Sequence, residues 1–227
     1  MKLYLLVEGI SSEMQVYPAW INYFLPTLKH HDNFDTFKHA ETGFYLVSGM
    51  GYPSIIKHIG NAATDVTDTA DVDYFFVILD SDEEAVDARK ALIDNTLKQH
   101  QFPHRTNIEV VIQKRCFETL LLANRKAIPR QPNTRPLIDY MQYYDVINHD
   151  PELMGNYSED YTHSQFHTEY AIKALREKRI RYTKSNCGDV ATAQFIKEIE
   201  QRINATGHLA SFSTFIHQLK IIGETMS

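Results

Sequence analysis

The feature that most constrains the fold is an uninterrupted apolar run that ends in acid. Residues 74–79 read YFFVIL, and Asp80, Asp82, Glu83 and Glu84 follow within five positions. A strand without polar and apolar alternation is buried on both faces, as in a parallel sheet covered by helices. Ligands of open α/β sheets bind beyond the carboxyl ends of the strands, so the acidic cluster lies where such folds place their chemistry.

The same acidic residues have a structural interpretation. Asp80 would end the strand, and Ser81 or Asp82 would cap the next helix. Glu83 and Glu84 would then lie in its first turn, where the helix dipole favours negative charge. From this stretch alone, a functional site and helix capping are both open.

Three further segments predict strands, and helical patterns separate them. The strands are expected at residues 3–7, 43–51 and 108–115, and helices at residues 11–28, 83–100 and 116–128. A further helix is expected to begin near Pro53, with apolar positions at Ile55, Ile56 and Ile59. The polar stretch 30–41 is expected to be a loop, and a zinc site at its histidines is disfavoured. Alternating strands and helices predict a mostly parallel, four-stranded sheet with helices on both faces over residues 1–125.

The pattern changes near Pro129. Residues 129–136 contain three prolines and predict an irregular linker. Helical patterns follow at residues 163–180, 188–203 and 209–224. We therefore expect residues 126–227 to form a mainly helical appendage that packs on the sheet.

Composition excludes several classes of protein. A formal net charge of -6 disfavours a protein that coats nucleic acid by bulk positive charge, but it allows a nuclease with an acidic metal site. Two isolated cysteines predict no disulfide framework and favour a reducing compartment, the cytoplasm. The sequence shows no secretory signal and no membrane helix.

The ends of the predicted strands suggest a metal site. Glu8 follows the first strand, as Asp80 and Asp82 follow the third. Neighbouring parallel strands lie ~4.8 Å apart, so these carboxylates could share one site. Clustered carboxylates need a cation, and hard oxygen ligands select Mg²⁺ or Mn²⁺. Such a centre fits phosphoryl transfer.

Four short motifs resemble those of the TOPRIM fold. LLVEGISSE and VILDSDEE, at residues 5–13 and 77–84, resemble the glutamate and Asp-x-Asp motifs of the nuclease branch, of the overcoming-lysogenization-defect type. CFETLLLAN and RYTKSN, at residues 116–124 and 181–186, resemble segments of small TOPRIM-like proteins of bacterial defence cassettes. The resemblance covers residues 1–125 and continues beyond them only through the lysine motif. It implies that residues 1–125 are a TOPRIM-like catalytic domain.

The resemblance also implies roles for individual residues. Glu8, Asp80 and Asp82 would be catalytic metal ligands, and Glu13 and Glu118 would be further metal ligands. Lys184 would be a catalytic cation that neutralises charge on a phosphate.

Each of these residues also has a structural interpretation. The negative charge of Glu8 would stabilise the N-terminus of the next helix. Glu13 would be the acidic partner of a capping box, and Glu118 would be a buried structural carboxylate. Lys184 belongs to a basic run in which five of the nine residues 176–184 are cationic. That run would either follow a nucleic-acid backbone or form a solvated helix face.

The implied function is a Mg²⁺-dependent endonuclease that hydrolyses DNA or RNA and acts as the effector of a phage-defence system. The resemblance also implies a separate ATPase as a partner, because a free nuclease would endanger its host and the chain has no G-x-x-x-x-G-K-[ST] loop of its own. A homodimer is compatible with the sequence.

Two other functions remain open at this point. The first is a non-catalytic receiver-like or TOPRIM-like binding or signalling module that partners an ATPase. The second is a phosphatase of the haloacid-dehalogenase type. It ranks last because it needs its Asp-x-Asp after the first strand, whereas here the motif follows the third.

Overall fold

The computed structural model describes residues 1–226 and contains one parallel sheet. Its strands are β1 Lys2–Val7, β2 His30–His31, β3 Gly43–Ser48, β4 Tyr74–Asp80 and β5 Asn107–Gln113. Their order in the sheet is β2-β3-β1-β4-β5, and every neighbouring pair is parallel.

Nine α-helices connect and cover these strands within the described residues. They are α1 Ser12–Phe24, α2 Phe34–Lys38, α3 Ser54–Thr69, α4 Val86–Leu97, α5 Phe117–Leu121, α6 Leu137–Tyr143, α7 His163–Glu177, α8 Ala193–Thr206 and α9 Ala210–Thr225. Short 3-10 turns occur at Arg125–Ala127 and Pro151–Leu153. The expected α/β class, the four expected strands and the C-terminal helices are confirmed.

The predicted count of four strands is wrong, because β2 lies in the stretch that was expected to be a loop. It has two residues, which pair with Phe44 and Tyr45 of β3. The His30 ring stacks on the Phe44 ring at 5.0 Å between centroids. A two-residue polar strand carries no periodicity, so only its pairing partner reveals it.

The helix expected at residues 116–128 is also shorter than predicted. It ends at Leu121, and a 3-10 turn follows. The Asn124 side chain accepts hydrogen bonds from the backbone N–H groups of Lys126 and Ala127, at 3.1 and 3.2 Å. Asparagine at this position favours a turn over a continuing helix.

The sheet has an apolar core on each face. Phe76 and Ile78 of β4 face a core shared with α1 and the C-terminal helices, whereas Phe75, Val77 and Leu79 face α3 and α4. Both faces of the strand are therefore buried, which explains its uninterrupted apolar run.

The C-terminal helices share the first of these cores with α1. The Trp20 ring stacks on Phe195 of α8 at 6.2 Å, and its indole N–H donates to the Val190 carbonyl at 2.9 Å.

The division of the chain at residue 125 stays a prediction. Cys116 and Cys187 are free and buried. Within residues 1–226, no helix combines the length and apolarity that crossing a membrane requires.

Candidate functional site

The candidate site lies at the carboxyl edge of the sheet, where the strand order reverses. After β1 the chain builds β2 and then β3 on one side of it, and after β3 it crosses to build β4 on the other side. Such a switch point opens a crevice for ligands. Glu8 follows β1 directly, and its backbone N–H donates to the Ile78 carbonyl of β4 at 2.9 Å.

Glu8 and Asp80 are joined across this crevice. Glu8 Oε2 accepts a hydrogen bond from the Asp80 backbone N–H at 3.0 Å. Its Oε1 accepts one from the Tyr52 N–H, in the loop after β3, at 3.2 Å. Burial is the main reason that the pKa of Glu8 rises to about 7, and the charges of Asp82 and Glu13 add to it despite these hydrogen bonds.

Asp80 is half-buried at the end of β4, whereas Glu13 and Glu118 are buried. Its Oδ2 accepts a hydrogen bond from the Phe117 backbone N–H at 3.1 Å. Its Oδ1 is buried without a partner among the described residues. Burial first, and then the neighbouring carboxylates of Glu13, Glu8 and Glu118, hold the pKa of Asp80 well above its usual range.

Glu13 is held against the loop that follows β1. Its buried carboxylate accepts the Gly9 backbone N–H at 2.9 Å, and burial raises its pKa. A Cβ atom at Gly9 would lie 1.7 Å from Glu13 Oε2. Glycine follows Glu8 because the Glu13 carboxylate occupies the space of a side chain. This contact is no capping box, since the N-cap of α1 is Ser11.

Of the capping alternative, the end of β4 at Asp80 is confirmed, but a helix cap at Ser81 or Asp82 is wrong. Helix α4 begins at Val86, and its N-cap is Ala85. Asp82 therefore lies outside the helix, in a left-handed conformation with φ 48°. Aspartate tolerates this region better than most residues. Glu84 also lies before the helix, and its carboxylate is 3.2 Å from Arg89 Nε.

Asp82 and Glu83 instead contact the start of α7, in the C-terminal half of the chain. Asp82 Oδ1 accepts a hydrogen bond from Ser164 Oγ at 3.0 Å. Glu83 Oε1 accepts the Ser164 N–H at 3.2 Å, and its Oε2 lies 2.5 Å from His163 Nδ1. Slight burial opposes these contacts, but they lower the pKa of Glu83. Helix α7 thus fixes the loop that carries the second aspartate.

The same C-terminal half holds Glu118. Its carboxylate is buried in α5 and accepts Tyr182 OH at 2.9 Å and Thr168 Oγ1 at 3.2 Å. The Tyr182 OH is also 3.1 Å from Ser12 Oγ. Lys184 is exposed at the rim, where its charge works against the raised pKa of Glu13.

These side chains line two adjoining cavities of about 270 and 570 Å³, which share Glu8, Asp80, Glu118 and Lys184. Glu13 lines the smaller cavity and Asp82 the larger. We call the two together the carboxylate cleft. The structure thus brings all six residues singled out in the sequence to one cleft.

Sequence reasoning missed the residues that hold these carboxylates. Ser164, Thr168 and Tyr182 bind them from positions more than 45 residues away along the chain. The only local signal was the start of α7, where Thr162 and Gln165 form a capping box. That signal predicts a helix, but not the partners of its first turn.

The donor set of the cleft fits a hard divalent cation. Seven carboxylates line it, because Asp160 and Glu169 join the five named above. The raised pKa values and the Asp80 Oδ1 atom, which has no partner among residues 1–226, favour added positive charge. Among residues 1–226, however, no three His, Cys, Asp or Glu side chains already converge as metal ligands. Backbone N–H groups occupy the oxygens of Glu8. Mg²⁺ usually takes one or two carboxylates beside water and phosphate, so a site for it does not require three converging protein ligands.

Comparison of the chain with protein-family models, with curated proteins and with solved structures finds no match.

Proposed function

We propose that the protein is a metal-dependent nuclease that hydrolyses phosphodiester bonds of DNA or RNA in the carboxylate cleft. The observation that carries the proposal is the Glu8 and Asp80 pair at the switch point of the sheet. Both carboxyls have raised pKa values, and Asp80 Oδ1 is buried with no hydrogen-bond partner among residues 1–226. Burying such charges without compensation is unfavourable, so the pair favours a cation.

Glu8, Asp80 and Asp82 would hold Mg²⁺ or Mn²⁺. When bound, such an ion supplies Lewis acidity and charge neutralisation at a phosphate. Asp80 is fixed by the Phe117 N–H, and Asp82 by Ser164, so both carboxylates are oriented before an ion arrives. Preorganised ligands of this kind reduce the cost of assembling the site.

The other three residues have supporting roles in this proposal. Glu13 and Glu118 extend the negative charge of the cleft floor, and each is hydrogen-bonded in place. Lys184 lines both cavities and is exposed. Its ammonium group would neutralise a phosphate oxygen as negative charge develops there.

The test is to incubate the pure protein with single-stranded DNA, duplex DNA, RNA and tRNA, each with EDTA, Mg²⁺ or Mn²⁺. Cleavage is expected only with a divalent ion. Asp80→Asn and Glu8→Gln should each lower the cleavage rate by at least ~100-fold, which is the scale of losing one electrostatic catalytic group. Asp68→Asn is the matched control, since Asp68 is an exposed acid on α3.

Cleavage that persists in EDTA, or that survives Asp80→Asn, would contradict the proposal. No cleavage of any substrate, together with Mg²⁺ binding in the cleft, would favour the non-catalytic module instead.

The wider role proposed for this nuclease is that of a phage-defence effector, controlled by a separate ATPase. It rests on the resemblance of the motifs to TOPRIM proteins. Expression of the chain with and without the neighbouring genes, under phage challenge, tests it. Full protection by this gene alone would count against an ATPase partner. A homodimer stays a prediction, which sedimentation of the pure protein would decide.

A further inference from the structure

Four exposed cations lie in the short segment that precedes Lys184 of the carboxylate cleft. They are Arg176, Lys178, Arg179 and Arg181, and none forms an ion pair with a carboxylate of residues 1–226. We call them the cationic track. In a chain with a formal net charge of -6, four unpaired cations within six residues are an unusual concentration.

The acids near the cationic track are directed to backbone groups. Glu177 accepts hydrogen bonds from the backbone N–H groups of Asn133 and Thr134, at 2.7 and 3.2 Å. Asp189 accepts the backbone N–H of Arg181 at 2.7 Å. The charges of the track are therefore left to face solvent.

The segment after the track is attached to the cleft itself. Tyr182 is buried and donates to Glu118, while the Lys184 carbonyl accepts from Ser11 Oγ and from Gln15 Nε2. Thr183 and Asn186 close a tight turn with two backbone hydrogen bonds of 3.0 Å. The track is therefore followed directly along the chain by a segment that is fixed to the cleft and places Lys184 in its lining.

Arg179 occupies a backbone position that glycine would fill at lower cost. It lies just past the end of α7 with φ 60°, and the Ile180 N–H closes the helix on the Leu175 carbonyl at 2.9 Å. Glycine is the usual residue at this left-handed position, because a Cβ atom is strained there. The arginine thus places a charge on the track at the expense of backbone strain.

We propose that the cationic track binds the phosphodiester backbone of the nucleic-acid substrate and leads it to Lys184 at the carboxylate cleft. This inference rests on the proposed function and adds the route by which the substrate enters. An anionic membrane is the less favoured partner. Membrane-surface segments pair their cations with apolar anchors, and no exposed large apolar side chain of the described residues lies within 176–184.

A binding assay without divalent metal tests this inference independently of catalysis. The full chain is titrated in EDTA, where cleavage is not expected, against fluorescein-labelled 30-nucleotide DNA and RNA at several salt concentrations. A triple variant removes three track cations, and a second triple variant removes three exposed lysines elsewhere as the matched control. The track variant carries Arg176→Gln, Lys178→Gln and Arg181→Gln. The control variant carries Lys29→Gln, Lys57→Gln and Lys98→Gln.

The track variant is expected to bind roughly 100-fold more weakly at about 0.1 M salt, with a salt slope lower by about 2. For a single strand, each phosphate contact contributes about 0.7 to the slope of log K against log salt concentration, and the variant loses three contacts. The control variant should bind like wild type. Arg179→Gly should bind about 5-fold more weakly for the loss of one contact, while its melting temperature equals or exceeds that of wild type.

If the two triple variants bind nucleic acid equally, the proposal that the cationic track binds the phosphodiester backbone is wrong, even if wild type cleaves nucleic acid. Track-dependent binding without cleavage in any metal would support the track and overturn the proposed nuclease. If the track variant loses binding to anionic phosphatidylserine vesicles and keeps binding to nucleic acid, the track is a membrane site and the inference is wrong.

Discussion

Replacing Glu8 with glutamine should remove a specific part of the pH dependence of folding stability. The pKa of Glu8 rises from its ordinary value of 4.5 to about 7 in the folded, metal-free protein, mainly because it is buried. Between these values the folded protein holds a proton that the unfolded chain has released. The contribution of Glu8 to the free energy of unfolding is therefore fully present below pH ~4.5 and is lost as the pH rises through ~7.

The size of this loss follows from the two pKa values. One pH unit corresponds to about 1.36 kcal/mol, so the full loss is about 3 kcal/mol, of which about 2.5 kcal/mol falls between pH ~5 and pH ~8. Glutamine cannot release a proton, so the variant should lack this loss. Its amide can still accept the Asp80 N–H, but its NH₂ group would oppose the Tyr52 N–H at a cost that does not vary with pH.

The assay is urea unfolding in EDTA from pH ~5 to pH ~8, for wild type, Glu8→Gln and the exposed control Asp68→Asn. The measured quantity is the difference in unfolding free energy between each variant and wild type at each pH. This difference should shift by about 2.5 kcal/mol in favour of Glu8→Gln across the range and stay flat for the control. If the unfolding free energies of wild type and Glu8→Gln change in parallel with pH, Glu8 does not have a raised pKa in the folded protein and the reasoning is refuted.

Three further predictions concern the metal, the glycine and a buried histidine. Millimolar Mg²⁺ should raise the melting temperature of wild type and leave Asp80→Ala unchanged, because an ion that binds only the folded state stabilises it; an equal rise in both would place the ion elsewhere. Gly9→Ala should cost about 1–3 kcal/mol in urea unfolding, because its Cβ would displace the Glu13 carboxylate, which lies 1.7 Å away; wild-type stability would show that the loop moves freely. Burial lowers the pKa of His167 from 6.5 to about 4. Stability should therefore fall by about 3 kcal/mol as the pH drops from ~6.5 to ~4, and His167→Gln should lack that fall.

Local sequence was sufficient to predict most of the sheet. The apolar runs of β1 and β4 are recognisable because a strand buried on both faces carries no polar residue in its centre. The partly buried β3 and β5 are recognisable by their apolar and β-branched residues, although β5 contains Glu109 and begins exposed. The positions of Glu8 and Asp80 at strand ends follow from the same runs. The two-residue β2 and the early end of α5 could not be predicted, since pairing and a side-chain turn decide them.

The sequence by itself determined which residues could form the site, and tertiary structure decided how they are held. Nothing local indicates that Asp82 binds Ser164 instead of capping a helix, or that Glu118 accepts Tyr182. Those contacts join segments 82 and 64 residues apart. The raised pKa values of Glu8, Glu13 and Asp80 have the same origin, because burial and neighbouring carboxylates raise them. Backbone preference is encoded within a few residues, whereas desolvation and charge proximity exist only after the chain has folded.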